Sequence, residues 1–280
     1  MNKYNNMPLV SVIIATKNEE KNIENCIRSI KNQTYPLDKI ELLVIDNNST
    51  DRTKEIAKRF AIVYNKGPKR ASQLNFGVQE SKGKYILYPD ADMTLSEKVV
   101  EECVNKCESE GCIALYIPEK IIGRGFWIKV RDFERSFCNT TCLDAVRFVK
   151  KEKFLEIGGF DENIDFGPDD WDFNRRIKQI GDVDIIKSLL FHDEGVFNLE
   201  RYLKKKKNYL TTFDKYIEKW GLEDPIIKKQ LGVWYRLLGV FIENGKWNKL
   251  ISHPILSLWM YVLRFMVGFQ YLKDKVVRVK

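Results

Sequence analysis

Histidine is almost missing from this chain: of 280 residues only His192 and His253 are His, and the second precedes Pro254. Six cysteines, at 26, 103, 107, 112, 138 and 142, contain no C-x-x-C pair. A zinc knuckle needs such pairs in twos, or one with histidines, so the cysteines read as free thiols of a reducing compartment. No stretch before residue 250 is apolar for 18 residues, which excludes a multi-span membrane protein. The opening MNKYNNMPLV has one lysine and no apolar core, so it does not read as a secretory leader and a cytoplasmic setting is expected. Without a leader, the glycosylation triplets at Asn32, Asn48 and Asn139 carry no weight. Internal repeats and low-complexity tracts are absent too.

What is present describes a globular chain. Hydrophobic residues make up 44%, charged residues 31% and aromatics 12%, a balance that excludes disorder, collagen-like repeats and coiled coil. The length suits one large α/β domain, or a domain with an appendage. The net charge is +8, unevenly spread: residues 201–280 hold 17 basic and 6 acidic side chains, and the rest is slightly acidic. A basic segment of that kind wants an anionic partner (a membrane surface, nucleic acid or a phosphorylated substrate) or is simply a solvated face.

Leu9 to Ala15 is a continuous β-branched run, as in a strand buried on both faces. Helical spacing follows over Glu19–Lys31, with Asn18 as a plausible cap. Strands are expected at Glu41–Ile45, Ile62–Tyr64 and Lys84–Tyr88, and helices at Thr53–Phe60 and Arg70–Glu80. Strand–helix alternation implies a parallel sheet with right-handed crossovers, whose ligands gather at the carboxyl ends of the strands. Further on, helices are expected at Ser96–Glu108 (capped by Ser96), Lys151–Ile157, Asp169–Ile180, Leu199–Trp220, Ile226–Ile242 and Pro254–Leu272. Strands are expected at Cys112–Ile117, Ala145–Val149 and Val183–Ile186.

Asp90-Ala91-Asp92 follows a strand. Two carboxylates at i and i+2 on such a loop can approach one hard cation such as Mg²⁺ or Mn²⁺, together with substrate phosphates; on the residues alone, two solvated turn aspartates are the commoner reading. Asp169, Asp170 and Asp172 head a helix, more acid than capping requires. Clustered carboxylates raise one another's pKa, while a helix N-terminus favours the charged form.

Three segments, SVIIATKNE, LLVIDNNSTD and NKGPKRASQLNFGVQESKGKYILYPDAD, in this order and spacing resemble family 2 glycosyltransferases of the GT-A fold, over residues 8–195. The resemblance implies an α/β, Rossmann-like nucleotide-binding mixed sheet flanked by helices. It implies that Thr16, Asn18 and Glu19 touch the nucleotide base and ribose and that Asp46 holds one of them. Arg70 would lie beside the pyrophosphate, Asn75 would face the nucleotide, and Asp90 would bind the sugar nucleotide. Asp92 is the expected direct ligand of Mn²⁺ or Mg²⁺. Phe166–Asp172 resembles the family's Glu-Asp motif, with Asp169 in the place of Glu and Asp170 in that of the catalytic base. Gly158-Gly159-Phe160-Asp161 resembles the segment before it, and His192 resembles a late histidine that completes the metal site or contacts the diphosphate. The Q-x-x-R-W motif of processive polymerases is absent, which points to single-sugar transfer.

Leu250–Leu272 is long enough to span a bilayer, but Arg264 sits near its middle at a cost of about 2.5–3.5 kcal/mol. Ser257, Tyr261, Arg264 and Gly268 form one polar stripe on an otherwise apolar helix. That pattern, with Trp234, Tyr235, Phe241 and the basic run Lys204–Lys207, suits a helix lying on an anionic leaflet; the core of a helical subdomain or a homodimer contact is the alternative. The expectation is a catalytic domain over 1–198 and a basic, aromatic-rich helical extension over 199–280, peripheral on the inner face of the membrane. The activity expected is an inverting, metal-dependent transfer from a nucleotide sugar to a lipid-linked or envelope-glycan hydroxyl. A nucleotidyltransferase would want a glycine-rich loop and a lysine after the first strand, where ATKNE has no glycine. A non-catalytic binding protein would be expected to lose the acidic set. No recognisable nucleic-acid motif accompanies the basic charge.

Overall fold

A computed structural model describes residues 7–278 apart from 165 and 211, and side chains as far as 269 apart from 208–210. The opening residues 1–6, read above for a leader, lie outside it. The chain divides into two compact units, Met1–Glu119 with Ala145–His192, and Lys120–Asp144 with Asp193–Lys280. This differs from a division at 198/199: the segment Lys120–Asp144 groups with the C-terminal third.

The first unit is built on a seven-stranded mixed sheet. Its strands are β1 (Val10–Thr16), β2 (Ile40–Asp46), β3 (Ile62–Asn65), β4 (Tyr85–Leu87), β6 (Ala114–Tyr116), β8 (Val146–Lys150) and β9 (Val183–Ile185), in the order β3-β2-β1-β4-β8-β6-β9. Strands β1 to β4 pair in parallel, while β8 runs antiparallel to both β4 and β6. Alternation along β1 explains the two-sided core. Val10, Val12 and Ile14 pack with Ile23, Ile27 and Ile30 on one face, and Ile13 packs with Leu74 and Val78 of helix Arg70–Glu80 on the other. The crossovers from β1 lead first to β2 and β3, then to β4 on its other side. The carboxyl end of β1 is therefore the topological switch point where an open α/β sheet binds its ligands. Thr16 and Asp46 face each other there in register, and Asp90 bridges Ala15 in parallel.

Several boundaries differ from the sequence reading for local reasons. Asn18 is not a helix cap: its backbone is left-handed, at φ 56°, and its Oδ1 accepts from Thr50 N–H at 2.9 Å. The helix starts only at Ile23. Ser96 does not cap its helix, which begins at Val99; its hydroxyl instead accepts from Leu189 N–H at 3.0 Å. The short strand β5 (Met93–Leu95) and the polar strands β7 (Glu119–Arg124) and β10 (Leu190–Val196) had no periodic signal to announce them. Leu190, Phe191 and His192 of β10 pair antiparallel with β5, His192 opposite Met93.

The second unit is helical. Helices Phe126–Arg135, Leu199–Leu210 and Pro254–Arg278 surround a core of Val130, Phe133, Phe137, Tyr202, Val240, Phe241, Met260 and Leu263. The helix expected over Leu199–Trp220 is two, Leu199–Leu210 and Asp214–Trp220. The one expected over Ile226–Ile242 stops at Leu231, because Gly232 turns extended at φ −68°, ψ 127°. Among the described residues no helix is long and apolar enough to cross a membrane.

Candidate active site

One side of the site is the end of β1 and β2. Asp46 is fully buried; its Oδ2 accepts from Ser49 N–H at 2.9 Å and lies 3.6 Å from Lys54 Nζ. Its Oδ1 and the Thr16 hydroxyl oxygen are buried without a hydrogen-bond partner. Buried polar atoms are rarely left so, and two of them side by side in register are an acceptor and a donor–acceptor waiting for a polar ligand. The loop beyond β1 is tied to the loop beyond β2: Asn18 N–H donates to Ser49 Oγ at 2.8 Å and Glu19 N–H to Thr53 Oγ1 at 2.7 Å. Burial, with Asp92, Asp51 and Asp90 nearby, raises the Glu19 carboxyl despite a hydrogen bond from Asn22.

At the other side, one arginine gathers the acidic residues. Arg70, the first residue of its helix, puts Nε 3.1 Å from Asp90 Oδ1 and Nη1 3.2 Å from both Asp169 Oδ2 and Asp170 Oδ1. Its guanidinium also lies over the rings of Phe160 and Phe166. A second arginine, Arg147 of β8, is only 7% exposed. Its Nη2 is 3.1 Å from Asp90 Oδ2 and its Nη1 3.9 Å from Asp170 Oδ2. Asp90 and Asp170 are each shared by two guanidinium groups. Burial pushes the Asp90 carboxyl up, but Arg147 and Arg70 outweigh it and hold it below its ordinary value. Asp169 is different: burial, then the adjacent Asp170, push it up to about 6 against the pull of Arg70. Arg70 Nη2, Arg147 Nη1 and the Tyr88 hydroxyl are buried without hydrogen-bond partners in the same neighbourhood. They are spare donors around the acidic pair.

The helix that presents Asp169 and Asp170 begins with Gly167 at φ 113° and Pro168 at its first position, a start proline suits. Gly167 N–H donates to Asp169 Oδ1 at 2.8 Å, which fixes that side chain. Upstream, Gly158 and Gly159 both adopt positive φ just beyond the helix Lys151–Glu156, a backbone that glycine adopts without steric cost. A Cβ on Gly159 would stand 2.5 Å from Asn75 Oδ1. Asn75, expected to face the nucleotide, has its amide engaged with this loop: Nδ2 donates to Phe160 O at 2.9 Å and to Glu162 Oε1 at 3.0 Å, and Oδ1 accepts from Phe160 N–H at 2.8 Å.

Asp92 and His192 come together from different elements. His192 Nε2 is 3.1 Å from Asp92 Oδ2, and Nδ1 is 2.9 Å from Glu119 Oε1. Burial would lower the imidazole, but the two carboxylates outweigh it and push it up to about 10. Among the described residues no group of three or more His, Cys, Asp or Glu side chains is arranged to hold a metal ion. The pair nonetheless fits a Mg²⁺ or Mn²⁺ site, because such ions take few protein ligands and complete their shell with water and phosphate oxygens. Glu119 on the far nitrogen supplies the carboxylate that commonly orients a ligating histidine.

Thr16, Asn18, Glu19, Asp46, Arg70, Asp90, Asp92, Asp169, Asp170 and His192 thus lie in one unit, all but His192 at or just beyond strand ends or at helix heads. Sequence reasoning missed Arg147, Tyr88 and Glu119. An arginine inside the apolar strand VRFVK is the signal that could have found the first; a carboxylate one residue past Pro118 could have found the last.

A family model described as "Glycosyl transferase family 2" matches residues 11–166. The minor teichoic acid biosynthesis protein GgaB of Bacillus subtilis is 27% identical over 276 residues, covering 86% of this chain and 29% of that protein. The beta-monoglucosyldiacylglycerol synthase of Nostoc is 25% identical over 252 residues, covering 81% and 53%. The chain therefore spans between about a third and a half of the length of these relatives. Among solved structures, the mannosyltransferase PcManGT of Pyrobaculum calidifontis, in complex with GDP-Man and Mn²⁺, is similar with a TM-score of 0.63 and 20% identity, over 96% of this chain and 88% of that one. Residues 1–349 of S. aureus TarS, in complex with UDP, are similar with a TM-score of 0.58 and 16% identity, over 95% and 88%. At these identities the structural likeness establishes the fold, GT-A.

Proposed function

The chain belongs to glycosyl transferase family 2, and we propose that it moves one sugar from a UDP- or GDP-linked donor to a hydroxyl of a lipid-linked or envelope-glycan acceptor, with inversion at the anomeric carbon. The observation that carries this reading is Arg70, which holds Asp90 of the Asp-x-Asp loop and Asp169 and Asp170 of the helix head on one guanidinium. Donor-side and acceptor-side carboxylates are thereby within one side chain's reach of each other, as a single displacement requires.

In this reading the spare oxygens of Thr16 and Asp46 bind the base and ribose, with Asn18 and Glu19 shaping the loop around them. Asp90 binds the sugar nucleotide, and Arg70 stabilises the nucleoside diphosphate as it leaves. Asp170 takes the proton of the acceptor hydroxyl, which attacks from the face opposite the leaving group. Asn75 braces the glycine loop beneath the acceptor side. Asp92 and His192 would hold Mn²⁺ or Mg²⁺, whose charge would offset that of the diphosphate; to ligate, His192 must give up the proton that Asp92 and Glu119 favour.

The family membership supports the reaction class, and the nucleotides bound to the two structural neighbours support the donor class. The names of the teichoic acid and diacylglycerol relatives support an envelope or lipid acceptor. The test is turnover of UDP- and GDP-sugars by the wild type and by Asp170→Asn. Loss of roughly 10²–10⁴-fold in turnover with donor binding retained is the expected result; undiminished turnover in the variant removes Asp170 from the base role.

A further inference from the structure

Ser257, Tyr261 and Arg264 of the polar stripe on helix Pro254–Arg278 are half-buried, and only Gly268 of the stripe is exposed. Arg264 donates to Glu134 Oε1 at 2.5 Å, and Met260 and Leu263 on the same side are buried in the core of the second unit. Glu134 is itself buried and also pairs with Arg131, which reaches Glu194 at 3.1 Å. The ion pair fixes the helix with Arg264, its first charged residue and the only one before Lys273, turned inward. Ile255, Leu258, Trp259, Phe265 and Phe269 are left exposed along another face, at successive spacings of three, one, six and four. A surface helix ordinarily turns its apolar face in; this one has a second apolar face turned out. Ile251 and Trp247 of the preceding helix are exposed too, and the same unit exposes Trp234 at 78%. So much large apolar surface on one unit marks an interaction site.

We propose that this face seats on an anionic lipid surface, with helix Pro254–Arg278 lying in the plane of the bilayer and its outward side chains in the headgroup region. Charge selects the occupant. From Lys246 to Phe269 there is no acidic residue. Helix Leu199–Leu210, which packs against helix Pro254–Arg278, exposes Arg201, Lys204, Lys205 and Lys207. Lysine is depleted from protein–protein interfaces but attracts anionic headgroups. Three partly or wholly exposed tryptophans, 234, 247 and 259, have the amphipathic ring that favours the bilayer interface. The inference deepens the membrane-facing part of the reading above by naming the surface involved, and it stands on the second unit without reference to catalysis.

The test is sedimentation of the full chain with vesicles of phosphatidylcholine alone and of equal parts phosphatidylcholine and phosphatidylglycerol. The anionic vesicles should carry down the protein with a partition coefficient at least roughly tenfold higher, and high salt should reduce it. Tryptophan emission should shift to the blue on binding. Leu258→Asp combined with Phe265→Asp should lower partitioning by about tenfold or more, while Leu37→Asp, an exposed leucine of the first unit, should leave it unchanged. No partitioning into either vesicle, or equal partitioning by the double variant, overturns the proposal. So does a soluble dimer that the double variant dissociates while neither protein binds vesicles. A failed sugar-donor assay would leave this result untouched.

Discussion

Arg70 donates from Nη1 to Asp170 Oδ1 at 3.2 Å, so the cation proposed for the leaving diphosphate already stands on the carboxylate proposed as the base. The same guanidinium holds Asp90 and Asp169, and its fork geometry is what allows one residue to serve three carboxylates.

Replacing it should be costly. Arg70→Met leaves a buried acidic cluster short of one of its two arginines, and removing one partner of a buried ion pair costs about 3–5 kcal/mol. Urea denaturation should show a loss in that range, and Arg70→Lys should recover only part of it, because an ammonium cannot match the fork. A change under about 1 kcal/mol would mean that the cluster is held by Arg147 alone.

Asp169 makes a pH prediction of definite sign. Its carboxyl is pushed up to about 6 by burial and by Asp170, against an ordinary 3.8. The folded state therefore binds the proton more tightly, and this residue's contribution to stability falls as pH rises from about 4 to about 6. Asp169→Asn carries no charge and escapes the loss. Its gain over wild type should be near zero at pH 4 and reach up to about 3 kcal/mol at pH 8, read as the difference in thermal midpoints across pH. A variant equally destabilised at both pH values would contradict the assignment.

How much of this was legible in the sequence depends on the residue. The β1 run and the helix Arg70–Glu80 announced themselves by periodicity, and Asp46, Asp90 and Asp92 by position after strands. Arg147 was hidden because an isolated arginine in a strand reads as one solvent-facing position; only the antiparallel pairing of β8 with β4 brings it beside Asp90. Asn75 shows the converse: its helical position was visible, but not that the Phe160 backbone would use its amide. The polar stripe at Tyr261 and Arg264 was legible as a pattern, whereas its direction depended on Glu134, 130 residues away in sequence.

Glu134 gives the acid-side counterpart of Asp169. Burial pushes its carboxyl up, but Arg131 and Arg264 outweigh that and hold it at about 2, against 4.5. The depressed value contributes stability that is present above about pH 4.5 and lost as pH falls towards 2, about 3 kcal/mol in all. Glu134→Gln should unfold more readily than wild type at pH 7, and the gap should close below pH 3. A gap that persists at pH 2.5 would show that packing, not charge, is the cause.

In the proposed site a nucleotide sugar is bound with a divalent ion at Asp92 and His192. Calorimetric titration of UDP- and GDP-sugars, with Mn²⁺ and then with EDTA, on wild type and on Asp92→Ala, tests it directly. One nucleotide class should bind in Mn²⁺, with affinity lower by about 10–100-fold in EDTA or in the variant. Folded wild type that binds neither class, or that binds equally well in EDTA and after Asp92→Ala, would contradict it.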